Sequence, residues 1–257
     1  MIDSHNTAAP PDRKDEVLLF LKERGTASIA EMAAEFAVSE MTVRRALHKL
    51  VDAGLVIRTP GGAMVAPSGS LEKSFVERSA KMAGAKDAIG REAAKLVSDG
   101  ETVVLDSGTT TRYVARHLAS KRDVTVVTTS LAVLEELAGS AGVRVRLTGG
   151  IYRHASHDLS GNAAADALAA VYADKVFFGA GALSFHKGVM NFDAEMPSGF
   201  LRAGRERVLV IDSTKIGWEA VYRLCAVEKC DIVVTDRAVR AADLARLRRL
   251  TSVLVAE

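Results

Sequence analysis

Two groups of residues in this chain have types and spacings that chemistry can use. The first is a cluster of cations and hydroxyls around Arg44 and Arg45. Laid on a helix, Val43, Ala46, Leu47, Leu50 and Val51 share one face. Glu40, Thr42, Arg44, Arg45, His48 and Lys49 are left facing outward. An arginine pairs bidentately with guanine, and a threonine reaches a base edge or a phosphate. Such a face therefore suits the major groove of DNA. The plainer reading is a solvated, charged helix face.

The second group stands where apolar runs end. It comprises Ser107-Gly108-Thr109-Thr110-Thr111, Thr128-Thr129-Ser130, Gly149-Gly150 with Arg153 just beyond, Gly179-Ala180-Gly181, and Asp212-Ser213-Thr214-Lys215. Small side chains, hydroxyls and free backbone N–H groups at a helix start hold an anion, phosphate above all. Lys215 adds an ammonium to the same rim. Each of these segments alone is consistent with a mere turn. Five strand ends that all carry small or polar residues point to a shared site for a small anionic ligand.

The elements needed to position the first group can be read in turn. Asp12 is placed to cap a helix carrying Val17, Phe20 and Leu21, which Gly25 stops. Ser28 with Glu31 forms a capping box ahead of Ile29, Met32, Ala33 and Phe36. After a break at Ala37-Val38, Ser39 caps the third helix, and Gly54 ends it. Leu55 to Arg58 reads as a strand, Gly61-Gly62 as a turn and Ala63 to Val65 as the returning strand. Three short helices followed by a hairpin make a winged helix-turn-helix. Candidate DNA contacts are Ser28 and Ser39 at the helix starts, then Thr42, Arg44, Arg45, His48, Lys49 and, from the wing, Arg58.

The second group needs a sheet. Apolar strands are expected at 102–105, 124–127, 143–147, 175–178, 208–211, 232–234 and 253–255, with helical runs between several of them. Nearly continuous apolar strands joined by crossover helices predict a mostly parallel sheet covered on both faces. The expected fold class is thus α/β, with a winged helix-turn-helix (1–66), a linker (67–85) and a mostly parallel, doubly wound α/β domain (86–257).

Bulk composition restrains the alternatives without choosing among them. The 257 residues carry a formal charge of +2, and residues 1–65 hold 8 Lys and Arg against 9 Asp and Glu. Any claim on nucleic acid must therefore rest on where charges sit. Cys225 and Cys230, with four residues between them, fit no common zinc spacing and read as reduced thiols. No metal or cofactor is implied. The N-terminus lacks an apolar run after a basic start, and no stretch nears the roughly 18 apolar residues that span a bilayer. The cytoplasm is the expected location, with no membrane partner.

The segments VSEMTVRRALHKLVDAGLVIRTPGGA, LDSGTTT, VVTTS, LTGGIYR and IDSTKIG resemble the DeoR family of sugar-metabolism regulators, over nearly the whole chain. The resemblance implies an effector domain similar to ribose-phosphate isomerase. It implies a phosphate loop at Ser107, Gly108, Thr109, Thr110 and Thr111 with Asp106 at its base, and ligand contacts at Thr129, Ser130, Gly150, Arg153, Glu195 and Lys215. The chain departs from the family pattern at Ala46, at Pro60 and at Pro197-Ser198, where family members carry Lys-Arg.

The expectation is a repressor of carbohydrate-metabolism genes that binds double-stranded operator DNA and answers to a phosphorylated sugar. A single winged helix reads few base pairs, so a homodimer or homotetramer is expected. The alternative is an isomerase-like enzyme in which Glu195 and Lys215 act as base and electrophile. The appended DNA-binding unit counts against it.

Overall fold

A computed structural model describes residues 13–52, 55–59, 61–65, 75–192, 199–220 and 222–257. The chain divides into two compact units, Met1–Leu71 and Glu72–Glu257. Asp12, Gly54, Pro60, Glu195 and Pro197-Ser198 lie outside the described residues, as does the Arg58 side chain.

The first unit runs α1 (Lys14–Arg24), β1 (Thr26–Ser28), α2 (Ile29–Glu35), α3 (Glu40–Asp52), β2 (Val56–Thr59) and β3 (Gly62–Val65). Its core is built from Val17, Phe20, Leu21, Ile29, Met32, Val43, Leu47 and Leu50, as the helical spacing demands. Gly25, at φ 78°, closes α1 by giving its N–H to the Leu21 carbonyl at 2.7 Å. The two-residue break before Ser39 is made by Ala37 in the left-handed region, at φ 50°. Strand β1 has no signal in the sequence. It pairs antiparallel with β3, Ala27 opposite Ala63, and turns the wing hairpin into a three-stranded sheet. Gly62 permits this, since a Cβ there would stand 2.3 Å from the Ala27 carbonyl oxygen.

The second unit begins with α4 (Phe75–Ala80) and α5 (Ala83–Ala94), so residues expected as linker are helical. There follow β4 (Thr102–Leu105), α6 (Thr109–Leu118), β5 (Val124–Thr128), α7 (Leu131–Leu137), β6 (Val143–Leu147), β7 (Ile151–Arg153), β8 (Asp158–Ser160), α8 (Asn162–Ala169) and β9 (Ala173–Phe178). The chain ends with β10 (Ala182–Ser184), β11 (Gly188–Asn191), β12 (Gly204–Val210), β13 (Tyr222–Cys225), β14 (Ile232–Asp236), α9 (Ala241–Leu247) and β15 (Ser252–Ala256).

Seven of these strands form one sheet in the order β15-β14-β12-β9-β4-β5-β6, with every neighbouring pair parallel. They are the seven apolar runs expected from the sequence. Successive residues point to opposite faces, and both faces of the inner strands are packed, while edge strand β6 leaves Arg144 and Arg146 exposed. Val103, Leu105, Phe177 and Val208 meet Ile89, Ala93, Val114, Leu118 and Val133 from α5, α6 and α7. Val104, Val176, Phe178 and Leu209 meet Leu168, Phe200 and Leu247 on the other side. The hairpin β7–β8 and the small antiparallel sheet β10-β11-β13 are additions that the strand reading missed. Their strands are three or four residues long, and none is a continuous apolar run.

Candidate functional site

In the first unit, packing and exposure divide α3 cleanly. Val43, Ala46, Leu47 and Leu50 are buried, while Arg44, Arg45, His48 and Lys49 are exposed and Thr42 is half-buried. The Ser39 hydroxyl accepts the Thr42 N–H at 3.2 Å and lies 3.0 Å from the Thr42 hydroxyl, which starts α3. Ser28 accepts the Glu31 N–H at 3.1 Å, and the Glu31 carboxylate accepts the Ser28 N–H at 2.7 Å. The Ser28 N–H, and after it the Ser28 side chain, pull the Glu31 carboxyl below the usual carboxylate range. The two serines thus set the helix starts. Glu40, one turn before Arg44, accepts from its guanidinium at 3.3 Å on an exposed face. This presentation of cations on a helix preceded by a second helix and followed by a hairpin is the geometry of a major-groove reader.

In the second unit the strand order reverses between β4 and β9. Chain order runs outward from β4 to β6 on one side and from β9 to β15 on the other. A crevice opens beyond the carboxyl ends at such a switch point. Asp106, just past β4, bridges it. Its carboxylate accepts the Ser107 N–H at 2.6 Å and the Gly179 N–H at 3.1 Å. The residue keeps some open surface, but its carboxylate is enclosed. Burial pushes its pKa up to about 6, against the opposing pull of those two N–H groups.

The loop after Asp106 turns into α6. The Thr111 hydroxyl faces the Asp106 and Gly108 carbonyls, each at 2.7 Å, and so locks the loop. Thr109 and Thr110 are buried at 3% and 2% exposure, and among the described residues neither hydroxyl has a hydrogen-bond partner. Thr129 is equally buried and equally unpaired there. Helix α6 itself is fixed from outside the crevice, because Glu136 of α7 accepts from Arg112 at 2.7 Å and from Arg116 at 3.0 Å. Its other flank lies against α5 at Gly90, where a Cβ would come within 2.6 Å of the Tyr113 backbone.

Lys215 follows β12. Its ammonium donates to the Ala180 carbonyl at 2.9 Å and stands 3.7 Å from the Asp212 carboxylate. Burial lowers its pKa, opposed by Asp212, and Arg78 and Asp106 also lie within electrostatic reach. The crevice therefore brings together Asp106, the Ser107–Thr111 loop and Lys215, as the strand-end reading expects.

Other expected contacts have different surroundings. Arg153 makes a two-point pair with Asp158, at 2.8 and 2.7 Å, inside the β7–β8 hairpin. Gly150, at φ 122°, has no room for a Cβ because the Ser160 carbonyl oxygen would be 2.3 Å away. Its backbone approaches its own hairpin. Ser130 caps α7 by accepting the Val133 N–H at 3.3 Å. Cys225 is half-buried and Cys230 buried, and both are free thiols.

Two cations absent from the sequence reading also stand at the crevice. Lys86 of α5 is 2% exposed and donates to the Arg78 carbonyl of α4. Its place was legible, since Lys86, Ile89, Gly90 and Ala93 recur on the buried face of one helix. Arg78 lay in the stretch read as linker, with no periodicity to single it out.

Residues 13–68 match the DeoR-like helix-turn-helix domain, and residues 81–237 match the DeoR C terminal sensor domain. The regulator YgbI of Escherichia coli (strain K12) is 32% identical over 96% of this chain and 98% of its own length. A putative aga operon transcriptional repressor of Escherichia coli O157:H7 is 28% identical over 93% of this chain and 90% of its own. The glycerol-3-phosphate regulon repressor of Escherichia coli (strain K12) is 28% identical over 87% and 90%. Among solved structures, ribose 5-phosphate isomerase A of Methanocaldococcus jannaschii aligns over 51% of this chain and 53% of its own at 19% identity, with a TM-score of 0.36. That likeness is too slight to bear on function.

Proposed function

We propose, from the premise that this chain belongs to the DeoR family of transcriptional repressors, that it represses carbohydrate-metabolism genes and is released by a phosphorylated sugar. The first unit reads operator DNA through α3. The second holds the effector in the crevice between the ends of β4 and β9.

One observation carries the effector reading. The N-terminus of α6, two buried threonines without protein partners and the Lys215 ammonium share one switch-point crevice. Backbone N–H groups, hydroxyls and an ammonium are all donors, so they select an anion. A phosphate fits this set, and the neutral remainder of a sugar can use the half-buried Asp106 rim. The family relatives are regulators, and the glycerol-3-phosphate regulon repressor is named for a phosphorylated polyol, which agrees with this reading. The chain is read as a regulator and not as an isomerase.

The first unit is small, so operator specificity calls for two copies reading two half-sites. A homodimer or homotetramer in the cytoplasm follows. Among the described residues no helix is long and apolar enough to cross a membrane.

The test is a DNA-release assay on an operator fragment selected from random sequence by the full-length protein. Sugar phosphates and their unphosphorylated parents are compared on the wild type, on Lys215→Ala and on the Thr109→Ala, Thr110→Ala double variant. Release by a phosphorylated sugar alone, lost in both variants, is the expected result. Equal release by the parent sugar, or full release of the variants, would place the effector site elsewhere.

A further inference from the structure

Three cations converge on the crevice from separate elements: Arg78 on α4, Lys86 on α5 and Lys215 after β12. Only Lys215 belongs to a strand end. We infer that Lys86 and Arg78 are effector-binding residues, which together with Lys215 and the α6 N-terminus enclose the phosphate group of the ligand. The inference rests on the effector reading above and extends its site to two helices that precede the sheet.

Lys86 gives the strongest reason. An ammonium has three donors and no acceptor. At 2% exposure, Lys86 spends one donor on the Arg78 carbonyl and has no other hydrogen-bond acceptor among the described residues. A buried charge with unmet donors is costly unless something of opposite charge completes it. The surroundings supply little of that. Lys215 and Arg78 both repel it electrostatically, and only Asp212 attracts it. Asp212 is itself engaged, by the Thr214 N–H at 3.2 Å, by the Thr214 hydroxyl and by Lys215. Burial and the two neighbouring cations hold Lys86 at about 8, well below an ordinary lysine. A dianion seated among the three cations turns their mutual repulsion into shared attraction. It also meets the free donors of Lys86 together with the Thr109 and Thr110 hydroxyls.

The site is framed to hold these groups still. Helix α4 is anchored by the Phe75 N–H to the Ala155 carbonyl at 2.8 Å and by the Phe75 ring stacked on His157 at 5.7 Å. Helix α5 is pressed on α6 at Gly90. Lys86 and the α6 N-terminus therefore belong to one rigid corner.

The experiment is isothermal titration calorimetry on the full-length protein with inorganic phosphate, a hexose 6-phosphate and the parent hexose. Wild type, Lys86→Met, Arg78→Gln and Arg78→Lys are compared, with thermal unfolding as the control for folding. Loss of one charged hydrogen-bonding partner weakens binding by roughly tenfold to a hundredfold. That loss is expected for both phosphates in Lys86→Met and in Arg78→Gln, with partial recovery in Arg78→Lys. Wild-type affinity should also fall as pH rises through about 8, where Lys86 loses its charge. This dependence should vanish in Lys86→Met. Should Lys86→Met not fold, the half-buried Arg78 and the wild-type pH profile still decide. Wild-type affinity for the hexose 6-phosphate in both Lys86→Met and Arg78→Gln overturns the inference alone. A wild type that binds neither phosphate overturns the effector reading with it.

Discussion

The two units put function in opposite places. On α3, folding and recognition use different residues: Val43, Leu47 and Leu50 pack, while Arg44, Arg45, His48 and Lys49 face outward. In the sensor crevice the same residues serve both ends. Thr111 ties the loop to Asp106, Asp106 ties β4 to β9, and Lys86 ties α5 to α4. An outward site can change without disturbing the fold. A buried one cannot, because its polar groups also satisfy the backbone that shapes it.

The largest expected effect tests that rigidity. Gly90→Ala drives a Cβ to within 2.6 Å of the Tyr113 backbone. Overpacking of this kind costs about 1–3 kcal/mol, and occasionally more where backbone must move. The sensor transition in a melting experiment should fall accordingly, and effector affinity should fall with it because α6 carries the proposed binding loop. An unchanged melting curve would show that α5 and α6 are not locked and that the contrast between the units is false.

Next come Arg44→Ala and Arg45→Ala. Each should cost about 1–3 kcal/mol of operator binding, the worth of a bidentate base contact. The melting temperature should stay near that of the wild type, since both side chains are exposed. Titration at fixed salt with operator and with random duplex checks this. Two variants that bind operator as the wild type does would remove α3 from the groove.

This contrast also explains what could be read from the sequence. The α3 face follows from local period alone, and the Ser28-Glu31 capping box from four residues. The inner sheet strands were legible as apolar runs packed on both faces, and β6 as an alternation that leaves Arg144 and Arg146 exposed. Strand ends then pointed to Asp106, the Ser107–Thr111 loop and Lys215. What stayed hidden depends on pairing between distant segments. Strand β1 exists because Ala27 meets Ala63, and the β7–β8 hairpin closes on an Arg153–Asp158 pair. The hairpin builds Arg153 and Gly150 into its own contacts, a use that a charge and a glycine near a strand end do not reveal by themselves. Arg78 joins the crevice only because α4 folds back onto it, which no local signal records.

A smaller effect concerns pH and concerns only the buried site. Asp106 has a folded pKa raised to about 6, so its charge is disfavoured in the native state. That cost is present above pH 6 and is relieved as pH falls from 6 toward the ordinary carboxylate value. Lys86, lowered to about 8, works in the other direction. Its cost is present below pH 8 and is relieved as pH rises from 8 toward the ordinary lysine value. The sensor should therefore gain from these two groups at either side of neutrality, before other groups take over. Saturating phosphate should cancel the alkaline gain by keeping Lys86 charged. Melting curves from pH 5 to 9.5, with and without phosphate, test this. An alkaline gain that persists with phosphate would separate Lys86 from the anion.

The smallest effect is the most discriminating between the two kinds of cation. Lys49, exposed in the last turn of α3, is placed beyond the base-reading half of the helix. A contact there goes to phosphate, which carries no sequence information. Lys49→Ala should weaken operator and random duplex alike, and flatten the slope of log affinity against log salt by roughly one unit. The free-energy change at physiological salt is modest because an exposed charge is screened over about 8 Å. Lys86 should behave otherwise. Its partner anion is enclosed, so salt that does not itself enter the crevice screens the pair far less. Titrations of DNA against Lys49→Ala and of hexose 6-phosphate against Lys86→Met, each over a series of sodium chloride concentrations, set the two side by side. A steep salt slope for DNA with a shallow one for the sugar phosphate is expected. Equal slopes would mean that the effector's phosphate is held at the surface, and that the division between an outward site and a buried one does not hold.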